Sequence, residues 1–168
     1  HRHFRRQRQM CIRDSFEAIE PLINSDEIKS WLLEKGPITK RIKAIGTFKL
    51  ELIQDKVSEV EKSEILFLNS NKGKFRVREV KLFCNDEPKV FARTIIPVIT
   101  IEDGFSDLGK IGKKPLGDIL FEKKIFTKEE VVFASFKYEE YLFWGRNTKY
   151  TVKGYPFSVM ELFLINDH

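Results

Sequence analysis

Three charged side chains sit in strand segments that are otherwise apolar. Arg78 shares a strand face with Val80 and Leu82, Arg93 shares a row with Phe91, Ile95 and Ile99, and Glu161 lies between Val159 and Phe163. An unpaired buried charge costs on the order of ~3 kcal/mol or more even after relaxation, so each needs a partner or a ligand. Two outcomes meet that need: Arg78 or Arg93 pairs with Glu161 or Glu79 inside the core, or the guanidiniums and the carboxylate face a bound molecule. An arginine fork matches a carboxylate bidentately, so the second outcome points to an anionic ligand that also carries a hydroxyl. Pro115-Leu116-Gly117 adds a second anion device if it opens a helix, because first-turn N–H groups lack internal partners; an ordinary loop-to-helix junction has the same residues.

The residues that are missing narrow the chemistry further. His1, His3 and His168 are the only histidines and all lie at the extreme ends, which excludes a catalytic triad or a histidine metal site in the body. Cys11 and Cys84 supply neither a disulfide framework nor a zinc site, and point to a reducing, cytoplasmic setting. The stretch Gly109-Lys-Ile-Gly112-Lys-Lys-Pro-Leu-Gly117 fails as a phosphate loop, because Lys114 stands where Ser or Thr is needed and the glycine spacing is too short.

The 168 residues suit one domain with one core. The net charge of +5 is concentrated in residues 1–15, where five Arg and one Asp leave +4. That segment has no apolar h-region and reads as a foreign or disordered tail resembling translated adapter sequence, so the domain is expected over residues 16–168. A basic nucleic-acid arm is the alternative, and nothing downstream supports it. No apolar run approaches the roughly 18 residues of a membrane span, so no membrane insertion is expected.

The elements that must carry these residues can be read from periodicity. Asn24 with Glu27 suggests an N-cap ahead of a short helix through Ile28, Trp31 and Leu32 that stops at Gly36, and 38–46 a second short helix or turn. Phe48, Leu50 and Leu52 alternate with Thr47, Lys49 and Glu51 as in a half-buried strand, and further strands are predicted over 75–83, 89–100, 131–141, 149–153 and 157–165. Short connections at Asn85–Pro88 and Gly154–Pro156 suit hairpins. Leu116, Ile119 and Leu120 share a helical face behind Pro115. The predicted fold class is α+β: a six-stranded antiparallel sheet with helices on one side.

Several blocks in the same order resemble the bacterial chorismate pyruvate-lyase family. They are Trp31-Leu-Leu with Ile38-Thr39-Lys40-Arg41; Val77-Arg78-Glu79-Val80, Pro88 and Ala92-Arg93-Thr94-Ile-Ile-Pro97-Val98; Gly112-Lys-Lys-Pro115-Leu116-Gly117-Asp-Ile-Leu-Phe121; Trp144-Gly145-Arg146; and Glu161-Leu-Phe163-Leu. The resemblance implies a cofactor-free lyase that turns chorismate into 4-hydroxybenzoate and pyruvate, acting as a monomer on a ligand held in a buried cavity. It implies that Arg78 grips the ring carboxylate with help from the Leu116 N–H, that Glu161 accepts from the ring hydroxyl, and that Ile38 and Thr39 belong to a flap. Arg93, with Arg146 second, is the candidate for the enolpyruvyl carboxylate. Ile38 departs from the Met often found there, Arg76 from an aromatic, and Asn147 from a second Arg. The rival reading is a non-catalytic effector-binding domain of the UTRA type, which shares this fold.

Overall fold

The computed structural model describes residues 9–70 and 73–168. Its strands are β1 (Gln9–Asp14), β2 (Phe48–Val57), β3 (Phe75–Cys84), β4 (Glu87–Pro97), β5 (Phe126–Tyr138), β6 (Tyr141–Val152) and β7 (Tyr155–Phe163). They form one antiparallel sheet in the order β1-β5-β6-β7-β4-β3-β2. The expected six strands are β2 to β7. The seventh, β1, comes from the segment set aside as a tail: residues 9–14 pair with β5, which corrects the expectation of disorder there. Residues 1–8 lie outside the described residues.

Turn chemistry closes the hairpins. Asn85 and Asp86 (φ 50° and 65°) join β3 to β4, and Lys153 and Gly154 (φ 51° and 81°) join β6 to β7, each with two central residues in the left-handed region that matches strand twist. The β5–β6 turn falls at Glu139 and Glu140, so the stretch 131–141 expected as one strand spans a reversal, and β6 begins at Tyr141 rather than near Lys149.

The short helices are α1 (Phe16–Ile19), α2 (Asp26–Leu32), α3 (Ile38–Ile45), α4 (Lys62–Leu68) and α5 (Leu116–Glu122). α1 to α3 bury Ile19, Ile28, Trp31, Leu32, Ile38 and Ile42 against Val80, Leu82, Val90, Ala92, Trp144 and Phe163. α5 sits on the same face through Leu116, with Ile96, Phe157 and Val159. α4 packs on the opposite face, where Leu68 meets Phe75 and Ile95, so helices cover both faces and not one. None of the described helices is long and apolar enough to cross a membrane.

Ser25, rather than Asn24, caps α2, its Oγ accepting from the Ile28 N–H at 3.3 Å. Asn24 is occupied elsewhere, since its side chain donates to the Asp167 carbonyl (2.8 Å). The Asn24 and Ser25 N–H groups donate to the buried Asp167 carboxylate at 3.0 and 2.9 Å, as does Trp144 Nε1 at 2.9 Å.

Register decides which charges meet. On the face covered by α1–α3 and α5, one row runs Leu52, Val80, Ala92, Glu161, Arg146, Phe133. The next runs Arg78, Thr94, Val159, Thr148, Val131, and a third holds Phe157, Tyr150 and Lys128. In the β3–β4 hairpin the pairing steps from Phe83↔Pro88 to Leu82↔Val90, bulging Lys89 out. Continuing the first register would have set Arg78 opposite Arg93. The one-residue bulge instead pairs Arg93 with Glu79 and turns both to the other face.

Candidate active site

Arg78 projects from β3 beneath the start of α5 and is 2% exposed. Its Nε and Nη2 donate to the Gly112 carbonyl (3.2 and 3.0 Å), and Nη2 donates also to the Lys114 carbonyl (2.6 Å). No carboxylate lies within ion-pairing distance of it among the described residues, and burial, only partly offset by the more distant charge of Asp55, pulls its pKa down to about 10. The guanidinium is therefore held in place by neutral acceptors while its charge stays uncompensated. The same contacts fix the loop 112–114 that leads into α5, whose first residue is Leu116 with Pro115 at the cap.

Glu161, one row away on β7, has an internal partner. Arg146 Nε donates to Glu161 Oε1 at 2.8 Å, and Arg146 Nη1 donates to the carbonyls of Leu32 (3.1 Å) and Glu34 (2.6 Å). One arginine thus orients the carboxylate and also ties down the α2–α3 connection. Ile38 and Thr39, both buried, begin α3 directly beyond that connection. Arg41 lies 3.9 Å over the Trp31 ring and donates to the Ser30 carbonyl and hydroxyl at 2.8 and 3.0 Å, clamping α2 to α3. Gly145 lets β6 and β7 approach here: a Cβ would come within 2.6 Å of the Glu161 carbonyl oxygen.

A pocket between the sheet and these helices is lined by Ile38, Thr39, Arg78, Leu116, Arg146 and Glu161, so six of the seven expected site residues converge. Arg93 does not. It lies on the opposite face, 2% exposed, with Nε and Nη2 donating to Glu64 at 2.7 and 2.9 Å and Nη1 to Glu79 at 3.1 Å. Burial alone would lower its pKa, but those two carboxylates outweigh it and raise the value. Arg93 is thus paired within the chain, with Gln54 completing the cluster by donating to Glu79.

Tyr150 and Lys128 are among the pocket residues that the sequence did not single out. Tyr150 stacks on Phe157, with ring centroids 5.4 Å apart, and burial with the nearby Glu161 charge pushes its hydroxyl up to about 12. Lys128 sits at the pocket mouth on β5, opposite Tyr150. Partial burial and the Arg146 charge hold its pKa below the ordinary lysine value, against the pull of Glu161. Only the register, shifted by a bulge at Glu129, brings it there.

The family model for chorismate lyase matches residues 16–167. A probable chorismate pyruvate-lyase of Psychromonas ingrahamii is 29% identical over 161 residues, covering 87% of each chain. A chorismate pyruvate-lyase of Escherichia coli is 31% identical over 149 residues, covering 88% of this chain and 85% of that one. Among solved structures, the C-terminal domain of the histidine utilization repressor from Pseudomonas syringae pv. tomato superposes with a TM-score of 0.57 at 12% identity, covering 73% of this chain and 94% of that one. A GntR-family transcriptional regulator from Enterococcus faecalis gives 0.54 at 11% identity, with the same coverages. At such identities the likeness shows a shared fold alone. Because the family match runs from the first residue of α1 to Asp167, beyond the last strand, this chain belongs to the chorismate lyase family.

Proposed function

We propose that this chain converts chorismate to 4-hydroxybenzoate and pyruvate, the reaction that commits chorismate to ubiquinone synthesis, and that it does so as a bacterial cytoplasmic monomer. The observation that carries this reading is Arg78: a buried cation with only carbonyl partners, facing the same pocket as Glu161. A ligand carboxylate supplies the charge that Arg78 lacks, in bidentate geometry or with the Leu116 N–H as a second donor. Glu161, held by Arg146, accepts from the ring hydroxyl, and Ile38 and Thr39 close over the ring. All these residues come from one chain, so no second copy is needed to complete the pocket.

The reaction asks for positioning more than for a reagent. The C3–O bond breaks and its electron pair leaves with the enolpyruvate oxygen, while the C4–H pair becomes part of the ring π system. The C4 proton ends on the enolpyruvate methylene, giving pyruvate, and nothing else enters or leaves. Aromatisation drives the step, and the protein contributes a fixed reactive conformer and a positive field around the departing oxygen. Opening of the Ile38–Thr39 flap then governs product release.

The test is to mix the full chain with chorismate in chelator-treated buffer and follow 4-hydroxybenzoate by absorbance and pyruvate by a coupled assay. Equimolar formation of both is expected. The shared fold with a GntR-family transcriptional regulator and the C-terminal domain of a repressor supports one alternative, a non-catalytic effector-binding domain. Tight binding of 4-hydroxybenzoate with no turnover would favour it over the lyase.

A further inference from the structure

We propose that Lys128 holds the enolpyruvyl carboxylate of the substrate at the end of the pocket opposite Arg78; this rests on the lyase reading above. Chorismate is a dianion. Its second carboxylate is carried on the C3 substituent, beside the C4 hydroxyl and away from the ring carboxylate. With the ring carboxylate on Arg78 and the hydroxyl on Glu161, the second carboxylate falls beyond Glu161. The strand order matches that arrangement: Arg78 on β3, Glu161 on β7, Arg146 on β6 and Lys128 on β5. β3 and β5 are four strands apart in the sheet, about 19 Å at the usual ~4.8 Å spacing, yet the two cations line one pocket.

The other cations are already engaged or elsewhere. Arg146 uses Nε on Glu161 and Nη1 on two carbonyls. Arg93 faces away from the pocket and carries two carboxylates of its own. Lys35 lines the pocket but belongs to the α2–α3 connection, so no strand fixes it. Lys128 makes no hydrogen bond or ion pair to any described residue and is fixed at its base by the sheet.

The local backbone is built to aim it there. Between Lys128↔Tyr150 and Glu130↔Lys149 the β5–β6 ladder skips Glu129, whose carboxylate instead accepts from Thr151 Oγ1 at 2.8 Å. Had the register of Val131↔Thr148 continued, Glu129 would face Tyr150 and put a carboxylate at the pocket mouth. The bulge exchanges that anion for a cation, and bulges re-aim side chains in this way beside functional sites. The charged groups around the Lys128 ammonium are Arg146, Lys35 and Glu161, and the net cationic surroundings favour an incoming anion.

The experiment compares wild type, Lys128→Met and Lys128→Arg, each checked for an unchanged melting temperature, for chorismate kinetics and for 4-hydroxybenzoate binding. The product has lost the second carboxylate and so reports the rest of the pocket. Lys128→Met is expected to raise KM for chorismate at least tenfold while product affinity stays within threefold, and Lys128→Arg is expected to restore most of the loss. In wild type, kcat/KM should fall as pH rises through the depressed lysine value, and Lys128→Met should lose that contribution and keep only the fall that belongs to Arg78. A KM for Lys128→Met within twofold of wild type, or an equal weakening of substrate and product, overturns the assignment. Absence of turnover in wild type overturns the lyase reading itself and this one with it.

Discussion

Arg78 and Arg93 are neighbours in one hairpin, equally buried, and alike in sequence context, yet the two faces of the sheet treat them differently. Arg93 receives Glu64 from α4 and Glu79 from β3, and its charge is neutralised within the chain. Arg78 receives only the carbonyls of Gly112 and Lys114, which orient the guanidinium without compensating its charge. Both arrangements satisfy hydrogen bonds, but only the second leaves a demand that a ligand can meet. Where a buried cation has been given neutral acceptors, the missing anion comes from outside; where it has been given carboxylates, it belongs to the frame.

The comparison can be broken most forcefully at Arg93. Arg93→Met strands two acidic groups in the α4 face and should lower unfolding free energy by about 3–5 kcal/mol, read by urea denaturation, while folded protein keeps its KM for chorismate. A stability change below ~1 kcal/mol would put Arg93 outside the frame. Arg78→Met should reverse the pattern, with about 2–5 kcal/mol lost from 4-hydroxybenzoate binding by calorimetry and a stability loss smaller than that of Arg93→Met.

Glu161→Gln keeps an acceptor for Arg146 but removes the charge facing the ring hydroxyl. It should lower kcat on the order of 10²-fold with little change in melting temperature; unchanged turnover would reduce Glu161 to a support for Arg146. The depressed pKa of Arg78 adds a pH signature. A guanidinium is charged below its pKa, so affinity for benzoate, a ligand with no phenol to titrate, should hold at neutral pH and fall as pH rises through about 10, well before an ordinary arginine would discharge. Constant affinity through that range would show that the guanidinium stays charged in the pocket, and would leave the carboxylate contact to the Arg78→Met test. The smallest effect belongs to β1, whose Arg13 lies 4.9 Å over the Phe67 ring of α4 on the Arg93 face. Arg13→Ala should cost about 0.5–1 kcal/mol of stability and leave kcat/KM unaltered, and removing residues 1–15 should likewise spare catalysis.

Most of the scaffold was legible because alternation and turn residues are local signals. β2 to β4 and β7, the helix through Trp31 and the one behind Pro115 all followed from them. The β5–β6 reversal was not, because Glu139 adopts a left-handed φ of 54° with neither Gly, Asn nor Pro to announce it. α4 was hidden for a similar reason: its capping box uses Glu61 with Glu64, outside the Ser, Thr, Asp and Asn pattern that marks a helix start. Arg78, Glu161, Ile38, Thr39 and Leu116, named from the family resemblance, and Arg146, named beside them, line one pocket, whereas periodicity alone could not have joined residues so far apart in the chain. The misplacement of Arg93 and the oversight of Lys128 share one cause. Each depends on a one-residue bulge, at Lys89 and at Glu129, and a period-two pattern carries no record of where a ladder slips.

Asp167 caps the approach to α2 and holds the Trp144 indole, although it lies 143 residues beyond Asn24. During synthesis at roughly 5–20 residues per second, α2 therefore leaves the ribosome about 7–29 s before the carboxylate that secures its start. In that interval the sheet grows beneath a cover whose first fastening has not been made. The α2 side of the pocket thus gains this fastening only once residue 167 has been made, and a nascent or truncated chain short of it holds the start of α2 without the carboxylate that secures it.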